Sequence, residues 1–155
     1  RRNETSPLAR VKSLNYLDNL LAREDARRRG ADEAILLNTR GKLAEGSAGN
    51  LFLVDGHRLL TPGIESGALP GITRQAVLEL AAAAGLEAVE SSEIETQMLH
   101  DASEAFLTNS VMEVMPLTRI DGRPVGSGRS GPVTERLARL YTELVLRETT
   151  AAQMT

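Results

Sequence analysis

Apolar residues change their period several times along this chain, and each change marks an element. Leu14, Leu17, Leu20 and Leu21 recur at helical spacing after Ser13. They predict a helix from Ser13 to about Arg29, ended by Gly30 with cations in its last turn. Ahead of it, Pro7 lacks an N–H and pushes Ser6 away from helix, so residues 1–11 are expected to be extended. The period then shortens. Residues 34–37, 42–45, 51–54 and 58–61 read as strands, with turn chemistry at 38–41 and at Asp55-Gly56, so 33–61 is expected to form an antiparallel meander.

Residues 62–71, with two prolines and three glycines, read as a loop. A second helix is predicted over 73–84, a strand over 86–89, a short helix over 93–99 and a strand over 105–108. Strands at 114–117 and 119–120 lead to an Asp121-Gly122 turn. Pro132 opens the last helix, with Leu137, Leu140 and Leu144 as its buried stripe, and 149–155 are expected to fray. Interleaved helices and tight strand turns predict an α/β (α+β) fold. It would have a mainly antiparallel sheet or pseudo-barrel packed with helices, in one domain spanning 1–155.

Composition narrows the chemistry. Net charge is −3, which gives no electrostatic case for nucleic acid or an anionic membrane. No apolar run nears the roughly 20 residues of a membrane span. The chain has no cysteine, which removes disulfides and thiolate catalysis and fits a cytoplasmic setting. Of the 18 basic residues only Lys12 and Lys42 are lysines, so a search for an amine nucleophile is short. His57 and His100 lack a second histidine at ligand spacing, and no metal site is expected.

Four segments are more polar or glycine-rich than folding alone requires: 11–15, 45–50, 69–74 and 108–110. Gly71-Ile72-Thr73-Arg74 places a glycine just before a predicted helix start and reads either as a phosphate cradle or as a plain helix start. Lys12 lies where extended chain meets the predicted helix, a position that also suits a solvated side chain. Lys42, in a turn, reads as surface. Glu45 reads either as an exposed turn carboxylate or as a fixed anion facing a cationic ligand atom. Thr108, Asn109 and Ser110 end a strand with small polar side chains that could cap a turn or bind an anion.

Taken together these segments resemble the fold type IV, class IV aminotransferase family of pyridoxal phosphate (PLP) enzymes. The resemblance rests on Lys12-Ser13-Leu14-Asn15-Tyr16-Leu17, Gly30-Ala31-Asp32-Glu33-Ala34 and Glu45-Gly46-Ser47-Ala48-Gly49-Asn50-Leu51-Phe52. It continues through Gly67-Ala68-Leu69-Pro70-Gly71-Ile72-Thr73-Arg74 and from Ala105 to Pro116. It implies that Lys12 is the catalytic lysine that carries PLP and shuttles protons. It implies that Glu45 pairs with the pyridine nitrogen and that Leu69 packs on the ring face. Ile72, Thr73 and Ser110 would hold the phosphate. The family also carries a smaller N-terminal domain, expected to be absent here and needed to complete the site, and commonly forms homodimers.

Branches of this family transaminate branched-chain or D-amino acids, or act as 4-amino-4-deoxychorismate lyases that release pyruvate and 4-aminobenzoate for folate synthesis. The run Asn109-Ser110-Val111-Met112 and the opening Arg2-Asn3 to Ser6-Pro7-Leu8 look more like the lyase. The expectation is therefore a lyase acting on a small amino substrate. Branched-chain or D-amino acid transamination is the alternative, and an inactive PLP-binding fragment a further one.

Overall fold

In the computed structural model the described residues are 1–153. After a 3-10 turn at Pro7–Arg10, helix α1 spans Leu17–Arg28. Strands β1 (Ile35–Leu37) and β2 (Leu43–Gly46) form an antiparallel pair of their own. Next come β3 (Asn50–Asp55), β4 (Arg58–Pro62), helix α2 (Ile72–Leu80) and β5 (Glu87–Ser91). Helix α3 (Thr96–Asp101), β6 (Glu104–Asn109), β7 (Glu113–Pro116), β8 (Arg119–Ile120) and β9 (Arg123–Pro124) follow, then α4 (Pro132–Gln153). The main sheet has five strands in the order β5-β4-β3-β6-β7. Only β4 and β5 are parallel, joined through α2; the other neighbours are antiparallel. The expected mainly antiparallel α/β architecture is the one observed.

Several expectations change in detail. The meander over 33–61 is two hairpins in different sheets, because the chain turns sharply at 47–49 and leaves β2 for β3. The first helix starts at Leu17, not Ser13, and the opening segment is not simply extended, since Pro7 begins a turn of 3-10 helix capped by Ser6. The helix does stop at Gly30, whose φ of +79° only glycine adopts without strain. The helix predicted over 93–99 sits later, at Thr96–Asp101. The last helix passes 148 and runs to Gln153; the end of the segment expected to fray lies outside the described residues.

Alternation along β3 and β6 sorts the core into two layers. Leu51, Leu53, Ala105 and Leu107 face β2 and α3, in a cluster with Leu43, Ile94 and Leu99. Phe52, Val54 and Phe106 face α2 and α4, in a cluster with Val77, Leu137 and Tyr141. Phe52 and Phe106 are register partners, and their rings stack with centroids 5.0 Å apart. The buried stripe of α4 is Thr134, Leu137 and Tyr141; Leu140 and Leu144 are only half-buried. Glu104 of β6 fixes that face. Its carboxylate accepts from the Val133 and Thr134 N–H groups and from the Thr134 hydroxyl, capping α4 from the sheet.

Candidate functional site

Glu45 lies inside β2, where every residue is buried, and is 4% exposed. The reading of an exposed turn carboxylate is therefore overturned. Its Oε2 accepts from the Leu69 N–H at 2.8 Å, and its Oε1 pairs with the Arg2 guanidinium at 2.8 Å. Burial pushes the carboxyl above its ordinary range, against the Leu69 N–H and Arg2, which pull it down. Arg2 also donates to the carbonyls of Gly67 and Ala9, so one guanidinium gathers the opening segment and the 67–69 loop around Glu45.

The 67–71 loop leads from Glu45 to the start of α2. The Leu69 side chain is half-buried, and its carbonyl accepts from the Asn50 amide at 2.7 Å and from the Gly71 N–H at 2.8 Å. Asn50 sits so close that a Cβ on Gly71 would collide with its side-chain oxygen, which makes glycine the residue that fits. No side chain caps α2, and its first turn holds no acidic group. The Ile72 and Thr73 N–H groups precede its first backbone donor, Gln75. This is a helix end of positive polarity with free donors. Thr73 is buried beside Tyr141, their hydroxyls 3.3 Å apart, while the Ile72 side chain is exposed. Arg74 is buried as well. It donates to the Pro62 carbonyl and pairs with Glu90, which ties α2 to β4 and β5.

The remaining sequence-predicted residues are less enclosed. Lys12 does not adjoin the helix as expected; it stands on an irregular stretch between the 3-10 turn and α1, and is exposed. That stretch is nonetheless tied to the turn after Glu45, because Tyr16 and Asn19 both donate to the Ser47 carbonyl. Burial also raises the Tyr16 phenol. Ser110 is exposed in the β6–β7 turn, which Asn109 organises by accepting from the Val111 and Met112 N–H groups and donating to the Ala48 carbonyl. The bonds joining Glu45, Leu69 and Asn50 reach neither Lys12 nor Ser110 among the described residues. Lys42 is engaged by Glu93 and Glu95.

Sequence reasoning assigned no role to Arg2, Asn50 or Tyr141, whereas Thr108 it had read as a turn cap or an anion binder. The Thr108 hydroxyl is buried without a partner among the described residues. Thr108 pairs with Asn50 across β3 and β6, which puts both side chains on the face toward α2. No cluster of His, Asp and Glu suited to a metal occurs among the described residues, and no described helix is long and apolar enough to cross a membrane.

Comparison with known proteins gives this geometry a family. The chain is 41% identical over 145 residues to a branched-chain-amino-acid aminotransferase of Escherichia coli K12, covering 94% of this chain and 47% of that protein. A solved structure of the branched-chain amino acid aminotransferase from Escherichia coli superposes with a TM-score of 0.88 at 39% identity, covering 93% of this chain and 49% of that one. The branched-chain amino acid aminotransferase of Thermobaculum terrenum in its PLP form superposes with a TM-score of 0.87 at 39% identity, covering 94% and 48%. The chain thus spans about half the length of the relatives it matches. The profile of the amino-transferase class IV family matches residues 1–120, and the chain belongs to that family.

Proposed function

We propose that this chain is the larger, cofactor-holding domain of a PLP-dependent aminotransferase acting on branched-chain amino acids. The observation that carries the reading is the buried, anchored carboxylate of Glu45, linked through Leu69 and Asn50 to the uncapped start of α2. One end of this arrangement suits a protonated ring nitrogen and the other a phosphate.

The residues present fit PLP. Burial costs Glu45 more than Leu69 and Arg2 return, so a cationic nitrogen against it would be held firmly. The Ile72 and Thr73 N–H groups would take the phosphate, the Ser110 hydroxyl would reach it from the β6–β7 turn, and Leu69 would lie against the ring. When bound, PLP supplies an aldehyde that takes up an amino group and a ring that withdraws electrons from the substrate carbon. Lys12 would supply the amine that attaches the cofactor and moves a proton at that carbon. Tyr16 and Asn19, by gripping Ser47, hold the lysine segment beside the strand of Glu45.

The relatives named above favour transamination over the lyase reading drawn from 109–112. D-amino acid transamination and pyruvate elimination are the competing outcomes. A smaller domain and a second copy of the chain would close the substrate side. The test is made on the full-length protein. Borohydride reduction and peptide mapping should place the pyridoxyl group on Lys12, and leucine with 2-oxoglutarate should yield glutamate. An adduct on Lys42 would defeat the site. Release of 4-aminobenzoate and pyruvate from aminodeoxychorismate, without glutamate formation, would defeat the substrate class.

A further inference from the structure

We infer that Tyr141 of α4 is a positioning residue for anion binding at the start of α2, acting through the Thr73 hydroxyl. The inference rests on the reading of Thr73 as a phosphate-holding residue.

The placement of Tyr141 follows from its helix. Glu104 caps α4 at Val133 and Thr134, and Leu137 and Tyr141 follow Thr134 on one face at helical spacing. That face packs on Phe52, Phe106 and Val77, which brings the phenol to Thr73. Tyr141 is 9% exposed, and the Thr73 hydroxyl, at 3.3 Å, is its hydroxyl's partner among the described residues.

The direction of that hydrogen bond follows from chemistry. A phenol is more acidic than an aliphatic hydroxyl, and its lone pairs are delocalised into the ring, so it donates better and accepts worse. Tyr141 therefore donates and Thr73 accepts. The hydrogen of Thr73 must then go elsewhere. A threonine inside a helix ordinarily gives it to a carbonyl three or four residues back, here Pro70, with which the Thr73 hydroxyl makes no hydrogen bond, or Leu69. The Leu69 carbonyl already accepts from the Gly71 N–H and from Asn50, which fills both lone pairs. With Tyr141 on one side and Leu69 saturated on the other, the Thr73 O–H is left to donate to a group at the start of the helix. Donation from the phenol also polarises it and strengthens its own donation.

A second observation points to a ligand at the same end of the sheet–helix layer. Thr108, 1% exposed, carries a buried hydroxyl with no partner among the described residues, on the sheet face that Asn50 shares. Two hydroxyls on this side of the sheet, those of Thr73 and Thr108, thus keep donor capacity in reserve.

The test measures the affinity of the full-length protein for pyridoxal 5'-phosphate and for pyridoxal, which lacks the phosphate, by absorbance titration. Tyr141→Phe should weaken the phosphorylated form by about 2- to 10-fold, the range of one neutral hydrogen bond, and leave pyridoxal unchanged. The decisive arm repeats the substitution in a Thr73→Val background, where Tyr141→Phe should have no further effect on the preference for the phosphorylated form. Equal weakening of both compounds by Tyr141→Phe, or equal loss in both backgrounds, would overturn the relay. So would an unchanged preference in Tyr141→Phe while Thr73→Val loses it, and that result would leave the phosphate reading of Thr73 standing. A preference indifferent to Thr73→Val would remove the phosphate role of Thr73 and the relay together.

Discussion

The two ends of the candidate site are built in opposite ways. At the end formed by Glu45, Asn50, Gly71 and Thr73, the side chains of Glu45, Asn50 and Thr73 are buried, and bonds cross from β2 to the α2 loop to β3. At the end formed by residues 11–21, Leu14 is fully exposed, and Val11, Leu17, Leu20 and Leu21 are each more than half exposed. Both ends belong to the site proposed above, yet only the first is finished by the packing of this chain. A carboxylate and a set of helix N–H groups need fixed surroundings to act on charge, and the sheet supplies them. So many large apolar side chains exposed within a few residues of Lys12 are what a partner surface would cover.

The comparison can be broken hardest at the finished end. Phe106→Ala empties the middle of the layer between the sheet and the two helices, removing the partner of Phe52. A loss of about 3–5 kcal/mol is expected in denaturant unfolding. A loss below about 1 kcal/mol, the scale of a surface change, would show that α2 and α4 do not depend on this layer.

Glu45→Gln tests whether burial or the ion pair governs the charged end. The folded carboxyl lies above its ordinary range, so folding favours its protonated form. The stabilisation linked to that proton is complete below the ordinary carboxylate range and is lost as pH rises through the raised folded value. Subtracting the stability of Glu45→Gln from that of the unsubstituted chain should leave a difference that declines with rising pH across this window. A difference that grows with pH would mean that Arg2 outweighs burial.

Much of the fold was legible because its signals are local. The period change after Gly30, the Asp55-Gly56 turn and Pro132 at a helix start each act within a few residues. The error at 33–61 has the same origin. Four strands with turn residues between them look like one meander, and only the sharp turn at 47–49, held by the Gly46–Gly49 backbone hydrogen bond, sends β3 into another sheet. Candidate residues that lie in a motif, such as Glu45 and Thr73, could be singled out beforehand. Arg2 could not, because nothing in Arg1-Arg2-Asn3 indicates that one guanidinium will be buried against a carboxylate 43 residues on. Tyr141 was passed over for Leu140 and Leu144, since a leucine stripe and a Thr-Leu-Tyr stripe differ by one position of helix phase. Contacts over such separations are set by tertiary packing, which local periodicity does not record.

The smallest expected effect sharpens the comparison at its unfinished end. Leu17 and Leu21 lie four residues apart on one face of α1, both more than half exposed. Replacing them with glutamine in the 155-residue chain removes little buried area, and glutamine is nearly as good a helix former as leucine. Each single change should shift stability by no more than about 0.5 kcal/mol. The proposed smaller domain or second copy would cover that face, and each substitution would then expose a void in a packed surface, at about 1.5–3 kcal/mol per leucine. The same two variants, measured in the 155-residue chain and in the full-length protein, should therefore differ several-fold in cost. Equal and small costs in both would mean that the patch stays open to solvent and that what covers the lysine end lies elsewhere. Equal and large costs would mean that α1 is already held by this chain, so that both ends of the site are finished alike.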